Sequence, residues 1–198
     1  MFKGFHMNDI KQLLVDQTIE LIKESDGQPE SITARAVAQR SGVALGLINY
    51  HFGSKDNLLA ECSNKIINDL LRSMKPDLAK AEDDGLTDRE RLILYAKQTF
   101  EYLFANRAIV KMSILSDFRS YGADTNSALT QKGFQMALRG EIPEKSKRLI
   151  AFSLASSMQT AFLAAGESKK ITGYDLNTKK GRGAFIEDTV NMLMGEIS

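Results

Sequence analysis

Between Ser31 and Lys55 the chain carries Arg35, Arg40 and Lys55 and not one aspartate or glutamate. A local cationic surface without carboxylates suits an approach to phosphates. Inside it lies Asn49, whose amide can pair bidentately with adenine, together with Leu45 and Leu47, which can meet a thymine methyl. These residues must be presented by something rigid. Ala34, Val37, Ala38 and Ser41 recur at the spacing of one buried helix face. Gly42 can supply the backbone angles of a tight turn, and Val43, Ile48 and Phe52 give a second short helix its apolar contacts. That leaves Leu45, Gly46, Leu47, Asn49, Tyr50 and His51 on the outward side, an odd set for a merely solvated face. The pattern predicts a helix-turn-helix whose second helix enters a DNA major groove.

The stretch resembles the tetracycline-repressor (TetR) family of transcriptional regulators. The resemblance rests on Ile32-Thr33, Ala38, Ser41-Gly42-Val43, Gly46, and the run from Tyr50-His51-Phe52-Gly53-Ser54-Lys55 to Leu59. This dense run argues against an ordinary surface helix over 44–51. The resemblance implies that Leu45, Gly46, Leu47 and Asn49 face base edges, that Thr33, Tyr50, His51 and Lys55 hold phosphates, and that Arg35 does either. Two residues depart from the family pattern. Ala44 stands where a capping Ser or Thr is common, which forfeits a contact of roughly 1 kcal/mol. Asn49 stands where Tyr is common, which points to a distinct base preference. One leucine turned inward would leave fewer direct readers and more reliance on DNA shape.

Bulk composition sets the frame. At 198 residues, 43% hydrophobic and 26% charged, the chain is that of an ordinary globular protein of one or two domains. Its formal net charge is only +1, so DNA contact must come from a local surface. A single cysteine, Cys62, excludes an intrachain disulfide framework and reads as a small buried hydrophobe rather than a redox sensor. No apolar run reaches membrane-spanning length. The expected location is cytoplasmic, with no membrane partner.

The rest of the chain reads as helices, so the expected fold is all-α: an N-terminal three-helix DNA-binding domain, 1–54, joined to a C-terminal helical ligand-binding and dimerisation domain, 55–198. Asn8 or Asp9 caps a first helix to about Asp26, broken by Ser25–Pro29. Thr33 caps the second and Ser54 the fourth. The fourth helix, with Leu58, Leu59, Ile66, Leu70 and Leu71 on its apolar side, ends at Pro76 and the acidic loop before Gly85. Leu92, Ala96, Phe100, Leu103 and Phe104 form a single-face stripe. Further helices are expected over 108–118, 126–138 and 146–165, then a Lys- and Gly-rich loop over 167–183. The last helix carries Phe185, Ile186, Val190, Leu193 and Ile197.

Small residues along 146–165, Ala151, Ala155 and Ala161 among them, would let a partner helix approach closely, and with the last helix they read as a homodimer surface. A two-fold dimer would read a palindromic double-stranded DNA operator. By resemblance, Phe100, Phe104, Met112, Phe118, Phe134 and Met158 would line a pocket for an unknown small-molecule effector, although each also reads as ordinary core. Asp117 and Arg119 are the nearest charges for orienting such a ligand. Enzymatic readings find little. The two histidines, His6 and His51, and the lone Cys62 fit neither a metal cluster nor a Cys/His pair, and no phosphate-binding glycine loop occurs. The sequence predicts no metal, cofactor or catalytic residue. Its leading reading is a regulator, a repressor released by its effector. Two alternatives stay open: a helical small-molecule binder without DNA function, and an effector-free architectural DNA binder.

Overall fold

The computed structural model describes the backbone of residues 7–25, 31–83 and 85–195. Every regular element among them is helical: α1 (Met7–Glu24), α2 (Ala34–Ser41), α3 (Gly46–Phe52), α4 (Lys55–Asp83), α5 (Asp88–Ala105), α6 (Arg107–Arg119), α7 (Asn126–Ala137), α8 (Glu144–Leu163), α9 (Ser168–Thr172) and α10 (Lys179–Met194), with a 3-10 turn at Ala165–Glu167. The expected all-α fold is the observed one. Most of the expected break at 25–29 lies outside the described residues, as do Ile197 and the side chains of Asn8, Leu70 and Leu71.

The chain forms two compact units. One runs to Asp69 and includes Asn106–Ser116; the other holds Leu70–Ala105 and the chain from Asp117 onward. In the first, α2 packs on α1, and Leu14, Val15, Ile19, Ile22, Val37, Ile48 and Leu58 are buried apolar positions. Cys62 is buried there too, and burial pushes its thiol up to about 12, in keeping with a small core side chain. In the second unit, α10 packs along α5 and α8, and α7 along α8 and α5.

Local chemistry explains where these helices start and stop. Thr33 caps α2, its Oγ1 accepting from Ala36 N at 3.1 Å. Ser54 Oγ accepts from Asn57 N at 3.1 Å at the start of α4. Thr87 and Glu90 cap α5 reciprocally: Thr87 Oγ1 accepts from Glu90 N, and Glu90 Oε2 accepts from Thr87 N at 2.9 Å. Asp88 ties the α5 start to the α7–α8 connection, accepting from Arg139 N at 3.0 Å and Gly140 N at 2.7 Å. Arg91 pairs with Asp88 at 2.8 Å and donates to Ala137 O and Leu86 O. Burial works against the Asp88 charge, yet the hydrogen bonds from Gly140, Arg139 and Arg91 outweigh it and hold the carboxyl below its ordinary range.

Three expectations are corrected. The fourth helix does not end at Pro76 but continues to Asp83. An internal proline removes one hydrogen bond, and the helical ladder continues on both sides; the stop comes at Gly85, whose φ is +67°. The stretch from 167 to 183 is no loop. Asp175 O accepts from Thr178 N, Ser168 Oγ accepts from Leu176 N, and Thr178 Oγ1 accepts from Gly181 N to cap α10. Leu176 is fully buried. Finally, Ala151, Ala155 and Ala161 face the chain's own interior. They serve close packing within the subunit, while Leu149 and Phe152 stand on the exposed side of α8.

Candidate DNA-binding site

Helix α3 is held by one deep anchor. Ile48 is fully buried, with Val43 and Phe52 half-buried on either side of it along the chain. The turn before it is set by Gly42, at φ +66°: Gly42 N donates to Gln39 O and Val43 N to Ala38 O, which closes α2 and satisfies its last carbonyls. The turn after it is set by Gly53, at φ +74°, and Asn57 Nδ2 donates to Phe52 O at 2.8 Å. The sequence holds Asn57 within the run that resembles the family, but its bond to Phe52 O was not read there, although an amide side chain three residues beyond a capping serine is a visible signal.

The anchor fixes which side of α3 faces out. Leu45 is 46% exposed and Tyr50 67%, and Gly46 and Asn49 are exposed as well. Leu47 is half-buried, as is His51, whose ring lies 5.1 Å from that of Tyr50 in an edge-on arrangement. Of the two leucines, Leu45 is the more exposed. Leu45 precedes α3 with no side-chain cap, in line with the Ala44 departure. Beyond its own helix backbone and chain neighbours, a Cβ built on Gly46 would meet no atom within 4 Å, so nothing in the subunit itself requires glycine there. Thr33 and Arg35, at the start of α2, are exposed, and Lys55, at the start of α4, is half-buried. The capping bond uses Thr33 Oγ1 as an acceptor, which leaves its hydroxyl hydrogen able to donate to a phosphate.

Arg40 is tied to α1. Its Nη1 donates to Glu24 at 2.6 Å and its Nε to Gln17 at 3.3 Å, so it braces α2 against α1. That hydrogen bond from Arg40 holds the Glu24 carboxyl below its ordinary range. Lys11, on α1, bonds Glu61 at 3.2 Å and lies 5.6 Å from the Phe52 ring centroid. Neither brace was legible in the sequence, since both join residues far apart along it.

The residues expected around an effector are divided between the two units. Met112 is buried in the first unit. In the second, Phe100 is fully buried, stacked on Phe185 with ring centroids 5.7 Å apart and edge-on to Phe104 at 5.1 Å. Phe104 in turn meets Phe162 edge-on at 5.3 Å. Phe134 and Met158 are buried on α7 and α8, and Phe118 stands half exposed at the end of α6. No single helix among the described residues is long and apolar enough to cross a membrane.

An outward, carboxylate-free α3 on a buried isoleucine, flanked by capped α2 and α4, defines a helix-turn-helix DNA-reading head on an all-α chain. Residues 14–62 match the family model described as bacterial regulatory proteins, tetR family, so this head is a TetR-family DNA-binding domain. A TetR transcriptional regulator from Rhodococcus sp. RHA1 has a similar fold, with a TM-score of 0.64 and 16% identity over 96% of this chain and 97% of that one. The transcriptional regulator FadR from Bacillus subtilis, solved in complex with stearoyl-CoA, gives a TM-score of 0.55 and 19% identity over 94% and 99%. No curated protein matches the sequence.

Proposed function

We propose that this chain is a sequence-specific transcriptional regulator, a repressor that leaves a palindromic operator when a small-molecule effector binds. The observation that carries the reading is the outward face of α3, where Leu45, Gly46, Asn49 and Tyr50 are exposed around the buried Ile48. Asn49 reads adenine, Leu45 meets a thymine methyl, and Thr33, Tyr50, His51 and Lys55 hold phosphates, with Arg35 free to do either. Residues 1–54 form the reader, and 55–198 bind effector and dimerise. Leu149, Phe152 and Met192, at 62%, 51% and 75% exposure on α8 and α10, support pairing of two subunits through these helices. A second copy would cover them and place two readers on successive major grooves.

Release follows from population shift. An effector that prefers the DNA-incompetent arrangement draws the protein off its operator, and a ~100-fold preference corresponds to about 2.7 kcal/mol of coupling. A neighbour of the same fold holding stearoyl-CoA supports a ligand-bound state. The test is fluorescence anisotropy against a library of palindromic duplexes at several salt concentrations. One half-site family should be selected, with affinity falling steeply as salt rises. Equal binding to all duplexes, or none, would sink the reading.

A further inference from the structure

Asp117 lies at the end of α6 with only 8% of its surface exposed. Its Oδ2 takes two hydrogen bonds from the start of α7, from Ser127 N at 2.8 Å and Ser127 Oγ at 2.6 Å. Gln159, on α8, donates from Nε2 to the same Ser127 Oγ at 2.8 Å. Ser127 and Gln159 are themselves more than nine-tenths buried. Thr125 caps α7 by accepting from Ala128 N at 3.3 Å, and one oxygen of Asp117 adds the acceptor for Ser127, a task a neutral asparagine would do as well. The other oxygen, Oδ1, accepts no hydrogen bond, and Asp117 makes no ion pair among the described residues. The Gln159 carbonyl oxygen accepts none either. Neither oxygen is sealed from access.

An accessible carboxylate oxygen with no hydrogen-bond donor, on a side chain that is otherwise mostly buried, is an open acceptor for a charged group. Asp117 and Gln159 both hydrogen-bond Ser127 Oγ, so their two remaining oxygens belong to one cluster of acceptors, and a donor with positive charge is its chemical complement. Buried Phe134 and Met158 lie on the same two helices as Ser127 and Gln159. We infer that Asp117 Oδ1 and the Gln159 carbonyl anchor an ammonium group carried by an otherwise apolar ligand. The inference rests on the effector reading above and gives that effector a chemical class, an amphipathic amine.

Calorimetric titration with octylammonium, octanol and octanoate tests the site, because the three share an unbranched eight-carbon chain and differ chiefly in the charge of the head group. The protein should bind octylammonium about tenfold or more tightly than octanol, a difference of about 1.4 kcal/mol, and octanoate most weakly. Asp117→Asn keeps an acceptor for Ser127 and removes the charge, so it should erase the ammonium preference and leave octanol binding as it was. Equal binding of octylammonium and octanol, no binding of any probe, or a preference that survives in Asp117→Asn would each overturn the assignment. Should that variant not fold, Gln159→Leu removes the second acceptor while leaving the α7 cap, and an unchanged preference there overturns it too. DNA binding measured on the same samples separates the two readings. Selective DNA binding without ammonium preference removes the site alone; ammonium preference without DNA binding removes the regulator.

Discussion

Arg182 of α10 grips Glu101 of α5 with both arms of its guanidinium, Nε to Oε1 at 2.7 Å and Nη2 to Oε2 at 2.6 Å, while the same group lies 4.7 Å from the centre of the Phe104 ring. Bidentate geometry and aromatic stacking are what arginine, and not lysine, provides. Nη1 also donates to Leu176 O, so one side chain ties α10, α5 and the turn between α9 and α10 together. The Arg182 side chain is 12% exposed and that of Glu101 34%, which places the pair between the buried and exposed extremes. A double-mutant cycle on Glu101→Ala and Arg182→Ala should return a coupling of about 1–2 kcal/mol in urea unfolding. Arg182→Lys should recover less than half of it. Additive single-mutant effects would mean the pair holds nothing together.

Gly46 separates a folding role from a DNA role. Beyond its own helix backbone and chain neighbours nothing lies within 4 Å of a Cβ built there and its φ is not positive, so Gly46→Ala should fold normally and be stabilised by up to ~1 kcal/mol. In the complex the added methyl meets the groove, and affinity should fall at least tenfold. Asn49→Ala should instead cost about 1–3 kcal/mol and relax preference at one base step. Anisotropy over a half-site library reads both effects. Full DNA affinity in Gly46→Ala would mean that the backbone does not approach the groove at this point.

The reader was legible because its signals are local. Apolar spacing, the capping hydroxyls of Thr33 and Ser54 and the turn at Gly42 all lie within a few residues of the structure they set. The Lys- and Gly-rich stretch over 167–183 misled because composition dominates there, while its order comes from Leu176 burial and from the bonds of Leu176 N to Ser168 and of Thr178 N to Asp175, and its last residues already belong to α10. The α8 alanines misled for another reason. Small residues permit close approach on any side of a helix, and only the packing of α7 and α10 against α8 decides which side is internal. Asp117 was noticed as a charge, but its partners Ser127 and Gln159 are distant in sequence and no local pattern announces them.

The proposed dimer is therefore better tested on the exposed side of α8 than at its alanines. Phe152→Arg combined with Leu149→Glu places charge where a partner is expected and removes no core contact, so the double variant should be a folded monomer by sedimentation equilibrium. Ala155→Arg, by contrast, inserts a charge at a position 1% exposed and should unfold the subunit whatever its oligomeric state. A stable dimer from the double variant would move the interface away from α8.

Cys62 should be chemically silent in the folded protein. Burial raises its thiol to about 12, and its Sγ lies 3.6 Å from Val15 O. Thiolate is the reactive form, so labelling with iodoacetamide at neutral pH should proceed only through opening of the reader unit. The labelling rate should rise with urea in step with the loss of helicity. Rapid labelling of the native protein would show that the α1–α4 contact opens without global unfolding.

The Asp88 carboxyl connects stability to acid. Because hydrogen bonds from Gly140, Arg139 and Arg91 hold it below its ordinary range despite burial, it favours the folded state whenever it is ionised. A depressed carboxyl contributes its full stability above the unfolded value, near 4, and loses that contribution as the pH falls through the lower folded value. Thermal melts taken from neutral pH downward should thus show a steep acid limb in the wild-type protein. Asp88→Asn cannot titrate, and because Arg139 N and Gly140 N bond different carboxylate oxygens its N–H₂ must face one of them in place of an acceptor, so it should melt lower at neutral pH and lose less on acidification. Gly140→Ala probes the same knot sterically. Its Cβ would come within 2.9 Å of Asp88 Oδ2 and push the carboxylate off the backbone amides, so this variant should share both the lower melting point and the shallower acid limb. Parallel acid limbs in all three proteins would show that some other carboxylate governs acid unfolding.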